Sequence, residues 1–180
     1  MHVVPDRVEV GEFMRGLKGT RAAVVAGAMM MCVPTTAFAQ DGCWNQTQVA
    51  AAKVRDLQSR LMVATLRCSA MGVNVAAAYN RFLAANRETI RGANAVLMTQ
   101  FESAFGGRQG QVQYDRFTTA LANVYGDDAT SHSVCADTAL LADEAASADG
   151  DLQTLVAIED RLGFVSALPG GQCTVSFAGR

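Results

Sequence analysis

Thr47–Cys68 reads TQVAAAKVRDLQSRLMVATLRC. Within it Ala50, Val54, Leu57, Leu61, Ala64 and Cys68 recur at spacings of 4, 3, 4, 3 and 4 residues. That period sets them on one face of an amphipathic α-helix. Lys53, Arg55, Asp56, Ser59 and Arg60 fall on its other faces. Met71-Gly72 ends the helix, with Gly72 suited to a left-handed cap. Asn74 is placed to cap a second helix, which runs to about Phe105 on Tyr79, Phe82, Ile90, Ala93, Leu97, Phe101 and Phe105. Gly92 sits near its middle, and the segment reads as one helix. A third helix spans about Val112 to Tyr125, between the breaks Gly106-Gly107 and Gly126-Asp127-Asp128. A fourth covers His132–Ala146, and a fifth covers Asp151–Leu162 between Asp149-Gly150 and Gly163. No stretch alternates apolar and polar residues for long enough to argue a sheet. The expected fold is all-α, a compact up-and-down bundle of about five helices.

Upstream of this segment the chain changes character. Ala22–Phe38 reads AAVVAGAMMMCVPTTAF, uncharged over 17 residues, and follows Arg15, Lys18 and Arg21. Ala37-Phe38-Ala39 has the small-x-small cleavage form. Basic start, apolar middle and small-residue end define a secretory signal peptide over residues 1–39. The apolar run is short for a membrane span and is broken by Pro34. Cys32 is preceded by Met31 and Met29, not by the small residue and leucine of a lipoprotein signal. Asp6, Glu9 and Glu12 suit no signal n-region, so translation is expected to start at Met14. Residues 40–180 remain as a single domain of 141 residues with net charge −3. A chain of that size buries enough surface for one core.

Four cysteines lie in that domain: Cys43, Cys68, Cys135 and Cys173. An even count in an exported chain points to two disulfides. No C-x-x-C or paired histidine supplies metal-ligand spacing, so no metal or cofactor is expected. Four cysteines allow three connectivities. If the helices alternate up and down, Cys68 at the end of the first lies beside Cys135 at the start of the fourth. Cys43 sits at the other end, within reach of the tail that carries Cys173. The layout favours Cys68–Cys135 and Cys43–Cys173.

The usual catalytic constellations are missing. The sequence contains no G-x-S-x-G, H-E-x-x-H, Walker loop or dinucleotide fingerprint. Gly106-Gly107-Arg108-Gln109-Gly110 is glycine-rich and basic, but it follows a helix and reads as a flexible connection. His132 is the sole histidine of the domain, next to Ser131, a helix-capping residue. The carboxylate pairs Asp127/Asp128, Asp143/Glu144 and Glu159/Asp160 are adjacent in sequence, so their members do not face each other on a helix. They read as solvated surface charge, with no catalytic residue among them.

Charge is unevenly spread. Residues 40–116 hold nine basic and five acidic side chains, and residues 117–180 hold two basic and nine acidic. Either the basic helices lie against the acidic ones, or the acidic half meets a partner. Few aromatics interleave with the arginines, so a nucleic-acid groove is a poor fit. Trp44 is expected to pack over a disulfide, or else to serve as an exposed recognition anchor. Asn45-Gln46-Thr47 has sequon form and reads as the capping segment of the first helix.

Leu66-Arg67-Cys68 at a helix end, Tyr79-Asn80-Arg81-Phe82, Tyr114-Asp115-Arg116-Phe117 and Leu168-Pro169-Gly170-Gly171-Gln172-Cys173 form a combination. It is similar to uncharacterised secreted four-cysteine helical proteins of Gram-negative bacteria. The resemblance implies export and a disulfide-stapled helical fold. That group has no established activity, so it supplies no catalytic residues. The expected protein is a non-catalytic, monomeric binding or structural module of the periplasm, or secreted, with an envelope protein as partner and no nucleic acid. Candidate interaction residues are Trp44, Arg108, Asp127 and Asp128. One alternative is an enzyme inhibitor that inserts Trp44 or the 106–111 loop into a target cleft. The other is a small hydrolase, which requires tyrosine, arginine and carboxylate side chains to converge on a pocket.

Overall fold

The computed structural model describes residues 43–164 and 168–173. The signal-peptide reading of residues 1–39, with its start at Met14, lies outside them. The described residues form six helices: α1 (Gln46–Ala70), α2 (Ala76–Ala85), α3 (Arg87–Phe105), α4 (Gly107–Gly126), α5 (His132–Ala146) and α6 (Leu152–Leu162). The fold is all-α.

Local chemistry sets most of the boundaries. Asn45 and Gln48 form a reciprocal capping box at the start of α1, each side chain bonding the other's backbone N–H at 3.0 and 2.8 Å. At the other end the N–H of Gly72 bonds the carbonyl of Ser69 and that of Val73 bonds the carbonyl of Cys68, both at 2.9 Å. This is a Schellman cap, and Gly72 at φ 79° supplies its left-handed residue. Ser131 caps α5 through Val134, and Asp151 caps α6 through Thr154. Asn74 does not cap α2; the cap position is Val75, without a side-chain bond.

The expected second helix is in fact two, and the break is at Asn86, not Gly92. Asn86 is fully buried. Its Nδ2 donates to the carbonyls of Phe82 and Ala145 at 3.0 and 2.9 Å, and its Oδ1 accepts from the N–H of Gly150 at 2.9 Å. One amide thus ties the α2–α3 bend to the α5–α6 turn. The 106–111 segment is not a loop either. Gly106 alone joins α3 to α4, and residues 107–111 are the first turn of α4. Gly110 makes this possible, because a Cβ there would stand 2.6 Å from Glu102 Cα and 2.7 Å from the Phe101 carbonyl oxygen. The two helices meet backbone to backbone.

α1 is the central helix and touches each of the other five. Its buried residues therefore exceed one stripe: Val49, Ala51, Ala52, Val54, Leu57 and Leu61 all face the interior. Asp56 and Ser59 are buried as well, whereas an amphipathic reading puts them on outer faces.

The four cysteines pair as Cys43–Cys173 and Cys68–Cys135, with S–S lengths of 2.01 and 2.04 Å. Cys68 and Cys135 are wholly buried beside Val75. At the opposite end of α1, Trp44 is 2% exposed, which overturns its reading as a recognition anchor. Its ring meets Phe101 edge-on at 5.5 Å and stacks on Phe117 at 6.1 Å. Its Nε1 donates to the Pro169 carbonyl at 2.7 Å, and its backbone pairs with Gln172 in a parallel bridge. Indole and disulfide together clamp the 168–173 segment onto the start of α1.

The charge asymmetry resolves into contact between the halves. Lys53 pairs with Asp160, Arg60 with Glu159 and Arg81 with Asp143. Basic α1 and α2 thus lie against acidic α5 and α6.

Candidate functional site

The residues with chemical potential gather inside the bundle. Asp56 on α1 and Glu159 on α6 are both 0% exposed. The Tyr125 hydroxyl, from the last turns of α4, donates to Asp56 Oδ1 at 2.7 Å. Arg60, one turn after Asp56, donates through Nη2 to Glu159 Oε1 at 3.1 Å. The guanidinium lies 4.5 Å over the Tyr125 ring, a cation–π contact. Asp56 Oδ2, Ser59 Oγ, Arg60 Nε and Glu159 Oε2 are buried without a protein partner.

Burial dominates the electrostatics here, because a charge removed from water loses its solvation. It pushes the Glu159 carboxyl up to about 7; Asp56 adds to that rise, and Arg60 opposes it. Burial likewise raises Tyr125, and the hydrogen bond to Asp56 raises it further, so the phenol holds its proton.

Arg60 and Tyr125 also wall a small cleft at the Cys68 end, together with Arg67, Asp128 and Thr130. Its volume is about 50 Å³. That is room for a few waters at roughly 10–15 Å³ each. Neither Asp56 nor Glu159 lines it. Arg67 is held there by donating to the Tyr125 carbonyl at 2.6 Å. Wider hollows of about 330 to 510 Å³ over α2–α3 and α1–α3 are open to solvent.

The candidate interaction residues do not form one surface. Arg108 is exposed in the first turn of α4, and Asp127 and Asp128 are exposed just past its last turn. A 20-residue helix separates them, about 30 Å at 1.5 Å per residue. Trp44 is buried. Asp127 and Asp128 instead lie near Val124 and Val134, which are 50% and 40% exposed. Farther along α5, Asp137 and Leu140 are i, i+3 neighbours, and Leu140 is 70% exposed. Asp127, Asp128 and Asp137 form no ion pair among the described residues. Asp143 and Glu144 pair with Arg81 and Arg161. His132 is exposed.

Of the three adjacent carboxylate pairs, Glu159/Asp160 departs from the surface reading. Asp160 faces out, and Glu159 faces in toward Asp56, 103 residues earlier. The signal for this was in α1. A helix whose apolar residues exceed one stripe is surrounded, so a carboxylate within it must find an interior partner.

Fold and site define an all-α, disulfide-bonded domain with a buried carboxyl pair. No protein-family model matches the chain, and neither a curated protein nor a solved structure matches it. Two disulfides fit folding in an oxidising compartment. No helix among the described residues is long and apolar enough to cross a membrane.

Proposed function

We propose that the protein is a non-catalytic module of the cell envelope, periplasmic or released, that binds a partner through the α4–α5 corner and the outer face of α5. The supporting observation is the surface from Val124 through Asp127 and Asp128 to Asp137 and Leu140. It combines exposed apolar side chains with acidic groups that form no ion pair among the described residues. Apolar anchors rimmed by one sign of charge suit a basic protein surface, with charge steering the encounter. The staples suit a rigid scaffold: one pins α1 to α5 beneath this face, and the other locks the 168–173 segment. The resemblance to secreted four-cysteine helical proteins agrees with export.

The inhibitor alternative loses its two insertion elements, because Trp44 is core and residues 107–111 are helix. The hydrolase alternative gains a convergence of Tyr125, Arg60 and carboxylates. Both carboxylates, however, are closed off behind that cleft. Pull-down of the tagged protein from the envelope fraction, beside a D127N/D128N/D137N variant, tests the reading. One stoichiometric partner retained by the parent and lost by the variant supports it. Equal recovery from both, or a free monomer from both, rejects it.

A further inference from the structure

Asp56 and Glu159 each have one oxygen satisfied and one without a protein partner. Tyr125 serves Asp56 Oδ1 and Arg60 serves Glu159 Oε1, while Asp56 Oδ2 and Glu159 Oε2 are unpartnered. Both carboxyls stand at one cluster: Arg60 bonds Glu159, its guanidinium lies over the Tyr125 ring, and the Tyr125 hydroxyl bonds Asp56. Two ionised carboxylates would set acceptor against acceptor and put two negative charges beside one guanidinium, at zero exposure. A single proton removes both conflicts. It turns the two unpartnered oxygens into one donor–acceptor pair and leaves one carboxylate opposite one arginine.

We propose that Asp56 and Glu159 bind one proton between them, carried on Glu159 Oε2 and donated to Asp56 Oδ2, and that this proton is part of the contact between α1 and α6. Among the described residues, no charge besides Arg60 acts on the pair. From α1 it meets Arg60, and from α4 the protonated Tyr125. Asp160 and Arg161 of α6 face outward to Lys53 and Glu144. On α5, Asp143 and Glu144 are surface pairs with Arg81 and Arg161. The remaining charged side chains of α3, namely Arg87, Glu88, Arg91 and Glu102, are exposed.

Glu159 holds its proton up to about pH 7 in the fold, against 4.5 for an ordinary glutamate. In that window the folded chain binds more protons than the unfolded chain. Stability from this site is therefore full below about 4.5, declines as pH rises, and is lost through about 7. Release leaves an uncompensated negative charge between α1 and α6 and loosens their contact, so the domain is firmest in a mildly acidic medium.

The test is a carboxyl-carbon NMR titration of the purified protein with both disulfides intact, joined to thermal unfolding at pH 5.5 and 8.5. Glu159 is expected to titrate at least one pH unit above ordinary glutamates, and D56N is expected to move it down. E159Q should unfold at nearly the same temperature at both pH values, because its amide donates to Asp56 and accepts from Arg60 without titrating. The parent should unfold several degrees lower at pH 8.5. A Glu159 titration in the ordinary glutamate range overturns the proposal, and this reading needs only the parent protein. Parallel losses of parent and E159Q between the two pH values also overturn it.

Discussion

The Tyr125 hydroxyl bonds Asp56 at 2.7 Å in the interior of the bundle, across 69 residues of chain. The bond joins the end of α4 to the middle of α1 and keeps one oxygen of a buried carboxylate satisfied. Y125F keeps the ring under Arg60 and removes only the hydroxyl. It should cost about 1–3 kcal/mol, because Asp56 then has a buried acceptor without a donor. Denaturant unfolding at constant m-value measures the loss. Y125A, which also removes the ring, should cost more.

Asn86 carries three hydrogen bonds from one side chain at zero exposure. N86A strands the Gly150 N–H, leaves the Ala145 carbonyl with its backbone bond from the Ala148 N–H, and opens a small void. A loss of about 2–4 kcal/mol is expected, within the range for breaking a buried network. Amide exchange should speed up at Gly150 and in the adjoining turns before it does in α4.

Two helical glycines should respond in opposite directions. Gly92 has open space where a Cβ would sit, so G92A should stabilise by about 0.5–1 kcal/mol. At Gly110 a Cβ meets the backbone of α3, so G110A should destabilise by at least about 1–3 kcal/mol. Paired thermal melts decide both signs.

The two disulfides differ in exposure. Cys43 and Cys173 are exposed, and Cys68 and Cys135 are wholly buried. Mild reductant followed by alkylation should label Cys43 and Cys173 first, since exchange needs access to the sulfur. Each bridge closes a long loop, of 130 and 67 residues. Each should contribute roughly 4 to 5 kcal/mol in the chain-entropy treatment. Mass spectrometry of the alkylated peptides follows the order of opening.

Much of this fold is legible in the sequence because its signals are local. Ser131, Asp151 and Gly163 mark helix ends by bonds to residues within a turn. The alternating helix layout brings Cys68 to Cys135. The break at Asn86 is not legible in that way. Its partners are the carbonyl of Ala145 and the N–H of Gly150, 59 and 64 residues away. Gly110 looks like a loop glycine until the course of α3 is known. Asp56 and Glu159 read as surface charge because each lies among charged neighbours, Arg55 and Arg60 or Asp160 and Arg161. Only the central position of α1 turns them inward.

Site-specific photo-crosslinking in the intact envelope tests the proposed function most directly. A photoreactive residue at position 140, on the outer face of α5, is compared with one at position 95, exposed on α3. One discrete crosslinked product is expected from position 140 and none from position 95, with the product lost when Asp127, Asp128 and Asp137 are neutralised. Equal crosslinking from both positions, or a product from position 95 alone, would contradict the proposed function.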